Sequence, residues 1–97
     1  MRHTTEARNQ ISPLLDRLIH QLDEEGSATQ RAFFDRIRRS LDHARYDLEL
    51  ATSIRELTSS TAVGFRFSND ADVLIARIVE KAEELAEELT APPQTRH

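Results

Sequence analysis

Residues 28–59 read ATQRAFFDRIRRSLDHARYDLELATSIRELTS, a stretch without a single glycine or proline, and the fold turns on how it is parsed. Phe34, Ile37, Leu41, Ala44, Leu48 and Ala51 recur at steps of three and four, the a/d spacing of a heptad. The alanines alternate with leucines, which lets a neighbouring helix come close. With no breaker inside it, the stretch predicts one central helix of roughly 45 Å, at ~1.5 Å per residue. Beside the seam runs a charge ladder, Arg31, Asp35, Arg38, Asp42, Arg45 and Glu49, alternating in sign at steps of four and three. Such neighbours pair along a wet helix face at about 0.2–0.5 kcal/mol each. The ladder reads either as a solvated, self-stabilised face or as a device that sets register with a partner helix.

Past Leu48 the apolar face rotates. Tyr46, Leu50, Ile54 and Leu57 form a second stripe, partly opposite the first. A helix that is apolar on two sides is either central in a bundle or shared with another subunit. The sequence therefore predicts that the second stripe lies at a homodimer interface in a helical bundle. The competing arrangement is a monomer in which the C-terminal helix folds across it.

Upstream, Ile11, Leu15, Leu18, Ile19 and Leu22 share one face of a first helix over 13–25. Ser12 is its expected N-cap, Pro13 suits the first helical position, and Gly26 supplies a left-handed end. Ser27 and Gln30 have the S-x-x-Q form of a capping box opening the central helix. A connection of Gly26 and Ser27 alone demands a tight αα-hairpin. Residues 1–11 are read as a flexible lead, with an extra turn or two conceivable before Pro13. Downstream, Ala71, Leu74, Ile75, Ile78, Ala82, Leu85, Ala86 and Leu89 make one stripe on a third helix over 70–89, capped by Ser68 or Asn69. Its other face is acidic. Residues 12–90 are thus one helical domain, and 91–97 are expected to form a disordered tail.

Between the last two helices, residues 58–69 hold four consecutive hydroxyl side chains, then Val63, Gly64, Phe65, Arg66 and Phe67. Here the hydroxyls finish a fraying helix, Gly64 takes positive φ, and the phenylalanines plug the bundle's end. The alternatives are a docking loop or a short edge strand through Val63, Phe65 and Phe67.

Ninety-seven residues make at most one domain, and a bundle of that size gains from association. The chain has no cysteine, which excludes disulfides and thiolate metal sites and fits a reducing cytoplasm. No apolar run nears the ~20 residues that span a bilayer, so a cytoplasmic protein is expected. The formal charge of −4 argues against nucleic acid, as does the interleaving of Asp35, Asp42 and Asp47 with Arg36, Arg38, Arg39 and Arg45.

Catalytic groups do not converge in the sequence, and no cofactor motif is present. His20 follows Asp16 by four positions and His43 precedes Asp47 by four, so each pair shares a helix face and suits a metal ion or a proton. The Glu-x-x-His pattern of di-iron bundles is missing. His43 also lacks the lysine and small residue that phosphotransfer domains place after their histidine. The sequence leads to a non-enzymatic interaction module, an adaptor or regulatory subunit, with Tyr46, Leu50, Ile54, Leu57, Phe65, Arg66 and Phe67 as its interface. Its partner is a second copy or another protein. A metal- or ligand-binding bundle using His20, Asp16, His43 and Asp47 is the alternative.

Overall fold

A computed structural model describes residues 2–90, with Arg2 and Thr90 described by backbone alone; the tail expected at 91–97 lies outside them. The elements are α1 (Arg2–Gln10), α2 (Ser12–Glu24), α3 (Ala28–His43), α4 (Asp47–Thr58), a 3₁₀ turn (Ser60–Ala62) and α5 (Asn69–Thr90). The chain is all-α as expected, with no strand among the described residues.

α1 and α2 form one column. The Ile11 N–H donates to the Ala7 carbonyl at 2.8 Å, and the Leu15 N–H donates to the Ile11 carbonyl at 2.9 Å. Pro13 falls in the first turn of α2, where its missing donor costs little. The expected flexible lead is therefore helical from Arg2 onward. Its anchor is a short stripe of Thr4, Ala7 and Ile11, all buried. Ser12 does not act as a cap. Its hydroxyl donates across the bundle to Asp42 Oδ1 at 2.8 Å.

The larger correction is that the single central helix is two helices. At Ala44 the backbone is extended (φ −65°, ψ 130°), and it stays so at Tyr46 (φ −149°, ψ 170°). α4 then runs back along α3, where Arg36 Nη1 meets Glu56 Oε2 at 3.0 Å. Burial explains the reversal. Leu50, Ile54 and Leu57 are 0–1% exposed while Leu48 is 76% exposed. Three such side chains contribute about 5–9 kcal/mol on burial, against about 1.5–3 forfeited at Leu48. A straight helix would have left one stripe in water.

Backbone groups freed at the break find partners elsewhere. Arg8, from α1, donates from Nη2 to the Ala44 carbonyl at 2.8 Å and from Nε to the Asp42 carbonyl at 3.4 Å. The Arg45 N–H donates to Glu49 Oε1 at 2.9 Å. Asp47 and Glu49 also place negative charge in the first turn of α4, where the helix dipole favours it.

The result is an up-down-up-down four-column bundle. α2 packs on α3 and α5, and α4 packs on the same two, while α1, at one end of the bundle, touches α3, α4 and α5 together. Phe34, Ile37 and Leu41 of α3 meet Leu15, Leu18 and Leu22 of α2, Leu50, Ile54 and Leu57 of α4, and Ala71, Ile75, Ile78, Ala82 and Leu85 of α5 in one core. Leu50, Ile54 and Leu57 of the second stripe are thus covered within the chain, with α5 packed on α4, while Tyr46 stays in water. The charge ladder pairs along its own face, Arg38 with Asp35 at 3.4 Å and Asp42 at 3.7 Å and Arg45 with Glu49 at 3.9 Å, and it also reaches across to α2. Arg38 Nη1 reaches Asp16 Oδ1 at 3.2 Å and Arg31 Nε reaches Asp23 Oδ1 at 3.5 Å.

The α2–α3 hairpin is as tight as expected, with Gly26 at φ +74°. Ser27 is the N-cap of α3 by position, but its side chain makes no capping bond. Gln30 instead donates to the Arg66 carbonyl at 3.2 Å. Ser68 caps α5, its Oγ accepting from the Ala71 N–H at 3.1 Å.

Candidate functional site

The sequence-predicted interface does not assemble into one surface. Leu50, Ile54 and Leu57 are core. Phe65 and Phe67 are half-buried and close a four-ring cluster with Phe33 and Phe34, with centroids 5.0–6.0 Å apart. The plug is therefore the outcome for this loop. It fills the level of the bundle above the end of α4. Gly64 takes φ +92°, and the Thr58 and Ser60 hydroxyls donate back to the Arg55 and Leu57 carbonyls. Arg66 is exposed. Tyr46, at the break, is the member of the set that keeps a large apolar surface in water, at 47% exposure.

The alternative metal pairs also come apart. His20 Nε2 lies 3.3 Å from Glu24 Oε2, and Asp16 is taken by Arg38. The His43 ring nitrogen Nδ1 lies 2.8 Å from the Arg39 carbonyl. Asp47 faces His3. Both histidines are exposed and lie apart from the carboxylates assigned to them.

Two features that do stand out meet at the same end of the bundle, where α1, the start of α4 and the last turns of α5 come together. One is the elbow between α3 and α4. It presents Tyr46 and Leu48 to solvent, beside a groove of about 330 Å³ lined by Ser40, His43, Ala44, Glu49, Thr52 and Ser53. The chain reversal puts His43 and Ser40 from α3 opposite Glu49, Thr52 and Ser53 from α4, giving a hydroxyl-rich wall. The other is a histidine among carboxylates. His3 Nδ1 lies 3.2 Å from Asp47 Oδ2, and its Nε2 lies 3.5 Å from Glu88 Oε1. Glu6, one turn along α1, joins them.

Sequence reasoning missed both. His3 falls in the stretch read as a flexible lead, and only the burial of Thr4, Ala7 and Ile11 fixes α1 in place. The signal available was the spacing His3-x-x-Glu6, which puts both side chains on one helix face. The elbow has no local signal of the glycine or proline kind.

The basic residues of α3 and the elbow are answered by acids. Arg39 Nη2 pairs with Asp35 Oδ2 at 2.8 Å, Arg45 with Glu49 at 3.9 Å, and Arg36 with Glu56 while lying 5.7 Å over the Phe33 ring. No helix among the described residues is long and apolar enough to cross a membrane. Glu25, at the far end of the bundle, has its carboxyl held below its ordinary range by hydrogen bonds from the Ser68 hydroxyl and the Gln21 amide. In comparisons with known proteins the chain matches no family model, no curated relative and no solved structure.

Proposed function

We propose that the protein is a small interaction module, an adaptor or regulatory subunit, that docks a partner on the elbow between α3 and α4. The observation carrying this reading is Leu48. It is the most exposed large apolar side chain described, it follows Tyr46 by two positions, and it sits in the first turn of a helix whose other face is locked into the core. Aromatic and aliphatic anchors on rigid elements are what partner surfaces use for affinity. Pairing of Arg36, Arg38, Arg39 and Arg45 with carboxylates favours a protein partner over nucleic acid. The absence of cysteine fits a cytoplasmic setting.

Leu50, Ile54 and Leu57 are buried within the chain, so the surface offered to a second copy or another protein is Tyr46 with Leu48. Stable specific interfaces bury about 1,200–2,000 Å² in total. Two exposed side chains and a polar groove supply a fraction of that, which suits a weak or transient complex. The reading is tested by placing a photo-cross-linking amino acid at Leu48 in the native host, with a control at Glu87 on the acidic face of α5. Discrete adducts from position 48 that the control lacks are expected. Equal yields from both positions would remove the elbow as a docking site.

A further inference from the structure

We propose that His3, Glu6 and Glu88 bind one divalent transition-metal ion of the zinc type, with Asp47 orienting the imidazole. One ligating atom from each of the three lies within 4.8 Å of the others, and His3 Nε2 and Glu88 Oε1 are already 3.5 Å apart. Ligands around a tetrahedral ion with bonds of ~2.1 Å stand about 3.4 Å from one another.

Two further features point to a cation. Asp47 lies at hydrogen-bond distance from His3 Nδ1, and in the neutral ring with its proton on Nδ1 the Nε2 lone pair faces Glu88. Such a carboxylate–histidine link is the usual outer support of a metal-binding imidazole. Glu6 Oε1 is sealed from solvent without a hydrogen-bond partner, a costly state for a carboxylate oxygen that a metal ion answers directly. A proton on both ring nitrogens of His3 answers Asp47 and Glu88 but not Glu6. A cavity of about 30 Å³, enough for a water-sized occupant, lies against Glu6 and Glu88 beside the cluster; Lys81 lines it and His3 does not.

Charge agrees with this assignment. Glu6, Asp47 and Glu88 surround a single imidazole. Lys81, which lines the same cavity, pairs with Glu84 at 3.8 Å. One imidazole with two carboxylates is a mixed donor set that suits zinc and its first-row neighbours over calcium or magnesium. The ligands come from α1 and α5, so the ion would tie the N-terminal column to the last turns of the C-terminal one. Asp47 links both to the elbow.

The test uses the full chain carrying no added histidines. Zinc is titrated by calorimetry, and cobalt(II) by its visible absorption. Saturable binding of one ion per chain is expected, with the imidazole nitrogen resonances of His3 shifting on zinc addition. His3→Ala and Glu88→Gln should each weaken binding at least ~10-fold, and Asp47→Asn by about 10–100-fold through loss of outer support. A His20→Ala/His43→Ala double variant should bind as the parent does. No saturable binding overturns the assignment, as does binding that survives His3→Ala. Because the resonance shift needs no substitution, zinc that moves other histidines and leaves His3 unmoved overturns it even where a variant fails to fold.

Discussion

Leu48 and Leu50 stand two positions apart in α4, and the heptad reading of the sequence ranks them the wrong way round. By that reading Leu48 belongs to the seam, yet it is the one in water, while Leu50 is sealed in the core. The difference is measurable by urea denaturation. Leu50→Ala should cost about 2–5 kcal/mol. Leu48→Ser should stay within about 0.5 kcal/mol, as surface substitutions do; a reversed order would restore the continuous helix. Arg8 is the other decisive residue, since its guanidinium completes two carbonyls at the end of α3. Arg8→Ala should lower stability by about 1–2 kcal/mol with α-helical content nearly unchanged. No loss would mean that solvent serves those carbonyls equally well. Residues 28–59 carry no sign of this dependence, because the residue that closes the break is twenty positions or more away in sequence.

At the scale of elements, what the sequence made legible was whatever is decided locally. The α2–α3 hairpin follows from Gly26, and the plug from Gly64 with its flanking phenylalanines. Ser68 opens α5 as a capping residue should. Elements fixed by distant contacts were not legible: α1 is held by burial of Thr4 and Ala7, and the α3–α4 break by the choice of which stripe to bury. For the same reason the sequence found the elbow's Tyr46 but not its Leu48, and the histidines of α2 and α3 but not His3.

The junction of α2 with α5 makes its own prediction. Glu25 is held below its ordinary range by Ser68 first and Gln21 second. A carboxyl whose folded pKa is depressed contributes stability above its unfolded value, about 4.3, and loses it as pH falls through the folded value. Ser68→Ala should therefore destabilise more near about pH 6 than near about pH 3. The cap lost at Ala71, worth about 1 kcal/mol, remains at both. In a Glu25→Gln background the two penalties should be equal; a pH dependence that persists there would assign it to another group.

For the molecule as a whole, the bundle satisfies within one chain what the sequence offered to a second copy. Two apolar stripes on one stretch can be covered by a dimer or by a reversal, and sequence periodicity is the same in both. Here the reversal places α4 between α3 and α5, leaving the elbow and the His3 cluster at one end of the outer surface. A zinc-type ion at that cluster should raise Tm in step with its concentration, by mass action on the folded state. A Tm that ignores the ion would contradict the site.

Backbone hydrogen exchange in α4, from Leu50 to Leu57, followed across a protein concentration series, separates cover within one chain from cover by a second copy. If α5 covers that stripe in the same chain, those amides should be as protected as the core of α2, and equally so over about a 100-fold dilution. Protection that fades on dilution would mean that another copy supplies the cover, and the intramolecular bundle would be wrong.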